Sequence, residues 1–138
     1  MDRSGYGTNV VSLDEVGRMA MQLPEVAEGE SRGSRVWSVG GKGFAWERPF
    51  SKADLKRFGD QTPPDGPILG VRVEDLGEKE AVLAAQPKGF FTIPHFDGYP
   101  AVLIQLRAVT KTVVKDALLD AWLACAPARL TEQYRKRR

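Results

Sequence analysis

The sequence predicts an α+β fold: a two-layer sandwich with an antiparallel sheet of about five strands and helices on one face, in the order α-β-β-(short α)-β-α-β-β-α. Three observations carry it. Short strand-like segments are joined by hairpin signals, which favours antiparallel pairing. Segments with apolar side chains at helical spacing open on capping residues and close on proline or glycine. The strands also divide into a bulky apolar side and a small or polar side, as in a sheet that helices cover once. The chain has 138 residues, a length suited to one domain with a real core.

Residues 1–11 mix Gly, Ser, Asn and charge without a period and read as a flexible lead. Ser12 and Glu15 then form a capping box, and Val11 can staple onto Val16. Val16, Met19, Ala20 and Leu23 keep helical spacing up to Pro24. Arg35–Val39 and Lys42–Arg48 flank Gly40-Gly41, a hairpin signal. Residues 49–66 are a connector, with a short helix capped by Ser51, stopped by Gly59 and followed by a proline-stiffened loop. Ile68–Val73 is the third strand. Asp75 and Glu78 open a helix through Ala81, Val82 and Ala85 that Pro87 closes. Phe90–Ile93 is a short strand, His95–Pro100 a turn, and Ala101–Val109 the last strand. Thr110 caps a long helix with Val113, Val114, Ala117, Leu118, Ala121 and Cys125 on one side, and Trp122 beside that stripe, partly exposed. Pro127 stops it; the domain spans 12–130, and 131–138 is a basic tail.

Period-two alternation sorts the strand residues. Trp37, Val39, Phe44, Trp46, Leu69, Val71, Val73, Val102, Ile104 and Leu106 share a bulky side that must meet the helices. Burying each contributes roughly 1.5–3 kcal/mol, which fixes the choice of face. Val36, Ser38, Gly43, Ala45, Glu47, Gly70, Arg72, Leu103, Gln105 and Arg107 share the other side. That side reads as a solvated surface, a self-association surface or a nucleic-acid surface. Trp37, Phe44 and Trp46 are equally a candidate base-stacking platform, but the same parity assigns them to the core.

Composition narrows the chemistry. One cysteine, Cys125, and one histidine, His95, exclude an internal disulfide and make an ordinary transition-metal site unexpected. No basic-then-apolar leader opens the chain and no apolar run approaches a membrane span, so a cytoplasmic protein without membrane contact is expected. The formal charge is +2, but Arg135, Lys136, Arg137 and Arg138 are all basic, and without them the rest carries −2. A strong duplex-binding domain shows a basic excess in its body, so tight binding is not expected here. His95, Asp97 and Tyr99 crowd one turn. A His–Asp pair can act as a base with its orienting carboxylate, but no nucleophile motif accompanies it. Asp97-Gly98 is foremost a turn pair, with Gly98 at positive φ. Gly40-Gly41-Lys42-Gly43 lacks the spacing of a phosphate loop and reads as a hairpin tip.

Two blocks are distinctive: Gly-Lys-Gly-Phe-Ala-Trp-Glu-Arg-Pro at 41–49 and Pro-His-Phe-Asp-Gly-Tyr-Pro at 94–100. With Gly-Pro-Ile-Leu-Gly-Val-Arg-Val at 66–73, they make roughly residues 12–130 resemble the MmcQ/YjbR-like family of small bacterial proteins. The resemblance implies the same element order, a CyaY-like or secretion-chaperone-like fold, and DNA binding by likeness to a winged motif, with Lys42 at the wing tip. It makes the His95–Tyr99 turn a signature and implies no catalytic or cofactor residues. The expected function is therefore a non-enzymatic domain that binds DNA weakly, with no cofactor, through Lys42, Arg72, Gln105, Arg107 and Arg135–Arg138. The alternatives are a protein-interaction or self-associating module on the polar sheet face, and a ligand or catalytic site at His95, Asp97 and Tyr99.

Overall fold

The structure, a computed structural model, describes residues 11–85 and 87–136. Ser12 caps α1 (Leu13–Met21): its hydroxyl accepts from the Glu15 amide, and the Glu15 carboxylate accepts from the Ser12 amide. Val11 and Val16 on either side of the cap are both buried, a hydrophobic staple. Val11 thus belongs to the core rather than to a flexible lead; residues 1–10 lie outside the described residues. Three strands follow, β1 (Ala27–Ser31), β2 (Ser34–Val39) and β3 (Lys42–Glu47). Gly40 and Gly41, at φ of 58° and 80°, turn β2 into β3, as the glycine pair predicts. Then come α2 (Lys52–Phe58), β4 (Ile68–Arg72), α3 (Leu76–Ala84), β5 (Phe90–Phe91), β6 (Ala101–Gln105), α4 (Lys111–Cys125) and α5 (Ala128–Lys136). The six strands form one antiparallel sheet in the order β1-β2-β3-β4-β6-β5.

The α+β class holds, with additions the sequence did not announce. The sheet has six strands because Ala27–Ser31 pairs along β2, although every one of its residues is exposed. A strand with no buried side has no alternation to read. The last strand stops at Gln105 rather than running to Val109, and Leu106–Ala108 form a 3-10 turn. Its partner β4 begins only at Ile68, opposite Gln105; past it the Leu106 amide still donates to the Pro67 carbonyl at 3.1 Å, and there the ladder ends. The basic tail is the largest correction: from Ala128 to Lys136 the chain is helical. Leu130 and Thr131 are buried, and the Tyr134 ring lies 5.5 Å from that of Trp122. This helix covers Trp122, which is fully buried and donates its indole N–H to the Pro24 carbonyl at 3.0 Å. Apolar burial at Leu130 and Tyr134 outweighs the charge of the last turn.

One sheet face packs on α1 and α4, with Trp37, Val39, Phe44, Leu69, Val71, Val102 and Ile104 in one core. Parity predicts this set with one error. The register shifts beside Trp37, so that Trp37 faces Ala45 and Ser38 faces Gly43. Phe44 is the extra residue of a β-bulge, and past it the alternation reverses. Ala45, opposite Val71, takes the helix side, while Trp46, opposite Val36 and Gly70, takes the second face. The second face is not bare. Ile68, Leu103, Ile93, Phe96 and Ala101 form a second buried cluster there, with Trp46, Phe50, Phe58 and Phe91 around it. The short helix α2 therefore sits on the face opposite the other helices, near the 94–96 turn.

Candidate functional site

The bulge at Phe44 brings the two distinctive blocks of the sequence together. Trp46 and the 93–100 segment both lie on the second face, and between them and the β1–β2 turn runs an open groove of about 870 Å³. Val36, Gly43 and Trp46 form its floor, Ser31 and Arg32 one rim, and His95, Phe96 and Tyr99 the other; Arg48 and Phe50 close one end. Gly70 admits the indole: a Cβ at that position would lie 2.6 Å from Trp46 Nε1 and Cε2. Phe96 is the hub of the aromatic wall. Its ring centroid is 6.4 Å from Trp46, 6.1 Å from Tyr99 and 5.2 Å from His95, the last edge-on. Phe96 is buried, whereas His95 and Tyr99 are exposed.

The signature turn is built as its sequence suggests. Asp97 (φ −58°, ψ 130°) and Gly98 (φ 77°) are the central residues of a type II turn, closed by the Tyr99 amide donating to the Phe96 carbonyl at 3.0 Å. Among the described residues no hydrogen bond joins His95 to Asp97, so the two do not form an oriented base–carboxylate pair. No group of three or more His, Cys, Asp or Glu side chains is placed to hold a metal ion among the described residues.

Three cations clasp this turn from outside. Arg48 stacks its guanidinium 5.3 Å from the Phe96 ring centre and pairs with buried Asp54 at 2.9 Å. Burial works to raise the Asp54 carboxyl, but hydrogen bonds within the Ser51 cap and the Arg48 charge outweigh it and hold the group below its ordinary value. Arg72 stacks 5.1 Å from the Tyr99 ring centre and donates through Nε to the Pro100 carbonyl at 3.2 Å. Lys79, buried on α3, donates to the carbonyls of Phe96 and Tyr99 at 2.5 and 2.9 Å. Burial lowers the Lys79 ammonium pKa, partly offset by the charge of nearby Asp97.

The basic residues expected to meet DNA do not converge. Lys42 is exposed at the β2–β3 hairpin. Gln105 and Arg107 both donate to Asp65, the Arg107 contact being 2.9 Å. Arg72 pairs with Ala101 at one end of β4 and Gln105 with Ile68 at the other. That separation is about 13 Å along the strand. Arg135 and Lys136 end α5, and Arg135 lines a 390 Å³ cavity with Glu78 and Asp120 on the helix side of the sheet. Arg137 and Arg138 lie outside the described residues. Sequence reasoning missed Arg32, Arg48 and Lys79. Lys79 did leave a signal: it occupies the helical position in register with Val82 and Leu83, where an apolar residue is expected.

One sheet face covered by helices and the other left half open as an aromatic groove define the class: a small α+β protein with an open groove on one face of its sheet. Within that class the chain belongs to the YjbR family, whose model, described as YjbR, matches residues 21–124. The resemblance carried by the two sequence blocks is thereby borne out at the level of the family. Uncharacterized protein Rv2570 of Mycobacterium tuberculosis (strain ATCC 25618 / H37Rv) is 44% identical over 128 residues, which cover 91% of this chain and 96% of the relative. Uncharacterized protein Mb2600 of Mycobacterium bovis (strain ATCC BAA-935 / AF2122/97) is similar to the same extent. No solved structure matches the chain significantly. No helix among the described residues is long and apolar enough to cross a membrane.

Proposed function

We propose that the chain is a non-enzymatic cytoplasmic domain that binds nucleic acid weakly, and that an unpaired stretch of the strand lies in the groove. The orientation of Trp46 carries this reading. The bulge turns a half-exposed indole toward His95 and Tyr99, where it offers a flat π surface to a base. Arg32 on the facing rim supports it: with Gly33 it forms the two-residue turn between β1 and β2, at φ of 53° and 81°, which fixes its place beside the groove. Its guanidinium is suited to a phosphate. The net charge of −2 left without the four terminal basic residues fits weak, salt-sensitive affinity. The one cysteine, buried and unpaired, fits a reducing compartment.

Fluorescence anisotropy tests the reading with a labelled single strand and the matching duplex at low salt. The expected result is micromolar binding of the single strand that falls steeply as salt rises. Trp46→Ala should weaken it roughly 5- to 100-fold, the range of one base stack. Arg107→Ala should leave it unchanged, because that side chain is engaged with Asp65. No binding of either form at tens of micromolar protein refutes the reading.

A protein-interaction role has one observation in its favour. The β1 strand lies at the sheet edge with all five residues exposed, so its outer backbone groups can accept a further strand. Glu30 on that strand disfavours pairing of two copies and fits a basic partner strand instead, whereas the Glu28 carboxylate already accepts from Arg35 and Trp37 of β2. Light scattering that finds a monomer is consistent with this; a stable dimer contradicts it.

A further inference from the structure

We propose that Lys79 is the positioning residue of the groove. Its ammonium acts as a tethered cation in a nest of two carbonyls and so sets the angle at which His95 and Tyr99 face Trp46. Lys79 is 7% exposed, and its two acceptors, Phe96 and Tyr99, bracket the type II turn. Neither carbonyl depends on Lys79 for a partner: Phe96 O also accepts from the Tyr99 amide, and Tyr99 O from the Ala101 amide. The lysine therefore adds little to local backbone satisfaction. What it adds is a link from α3 to the middle of a turn whose ties to the sheet are its side-chain rings and, at its far end, the Pro100 carbonyl, which accepts from the Val73 amide at 2.9 Å and from Arg72 Nε at 3.2 Å. Nothing else bonded to those two carbonyls comes from outside the 93–101 segment. The charged groups facing it are few. Asp97 is near enough to favour the ammonium, and Arg72 meets the turn at Pro100 and the Tyr99 ring.

A buried ammonium held by two acceptors exchanges its protons slowly, and His95 is the only histidine, so both ends of the link have a private NMR reporter. In the wild-type chain labelled with nitrogen-15 lysine, one ammonium resonance is expected to stay visible at neutral pH, and Lys79→Met should remove it. The same variant should shift or broaden the His95 ring resonance and move Trp46 emission, while the urea midpoint changes little, since methionine fills the slot without a buried charge. The absence of a protected lysine ammonium in the wild type overturns the proposal, and this holds even where the variant does not fold. An unchanged His95 resonance in a folded Lys79→Met also overturns it. The inference concerns the groove's geometry and rests on the proposed function only for affinity. Loss of His95 order without any nucleic-acid binding by the wild type separates failure of that function from failure of this link.

Discussion

Gly70→Ala tests the reversal at the bulge most directly. The new methyl would lie 2.6 Å from two atoms of the Trp46 indole, where ordinary contact begins near 3.4 Å. The ring must therefore move out by close to 1 Å, or the strand must yield. Overpacking of this kind costs about 1–3 kcal/mol. Against it stands the entropy of removing a strand glycine, worth roughly 0.5–1 kcal/mol in favour of alanine. The net expectation is a loss of about 1 kcal/mol, a drop in melting temperature of about 3–5 °C for a chain this long. The sign should reverse in a Trp46→Val background, where the methyl meets open space and the entropic gain remains. Urea melts of the four proteins in the cycle give the coupling, expected at about 1–3 kcal/mol. Trp46 emission should move with Gly70→Ala alone, because Trp37 and Trp122 are fully buried elsewhere. A coupling near zero would mean that Trp46 and Gly70 do not share a face, and the groove with its aromatic floor would fall with that.

Other outcomes follow from the same contacts. Asp54 ionises more readily folded than unfolded, so its contribution is present at neutral pH and is lost as pH falls through and below its ordinary value of 3.8. Glu15 beside Lys111 and Glu28 beside Arg35 shift the same way. Asp54→Asn should cost on the order of 3 kcal/mol at pH 7 and make acid unfolding less steep, read by denaturant melts at several pH values; an unchanged acid limb refutes the assignment. Truncation after Pro127 should cost about 3 kcal/mol, because Leu130 leaves the core and Trp122 loses its cover. A truncated chain as stable as the full one would mean that α5 is not docked. Gly98→Ala should cost about 1–2 kcal/mol from backbone strain alone, since φ is 77° and nothing lies within 4 Å of the added methyl. A neutral result in a thermal melt argues against the type II turn.

How much of this was legible depended on whether the signal was local. The caps at Ser12, Ser51, Asp75 and Thr110 all bond as their spacing predicts, because a cap involves residues three apart. Gly40-Gly41 and Asp97-Gly98 adopt the backbone that only glycine-bearing turns allow at no cost. The exposed β1 strand was invisible because its polar residues are held by pairing with β2 and not by a buried side. Helix α5 carries no clear signal of its own, because the charges Arg135 and Lys136 make its end read as a solvated tail while only Leu130 and Thr131 are buried.

The sequence by itself determined the α+β class, the antiparallel order of its hairpins, the bulk of the helix-side core and the shape of the 97–98 turn, since each follows from periodicity or short-range sterics. Only tertiary structure decided which way Trp46 points, where Arg72 and Arg107 spend their charge, and that a lysine from α3 reaches the signature turn. Those outcomes hang on one extra residue in a strand and on partners 28, 42 and 20 positions away. No local pattern encodes them, because the free energy that selects them exists only once the elements are packed.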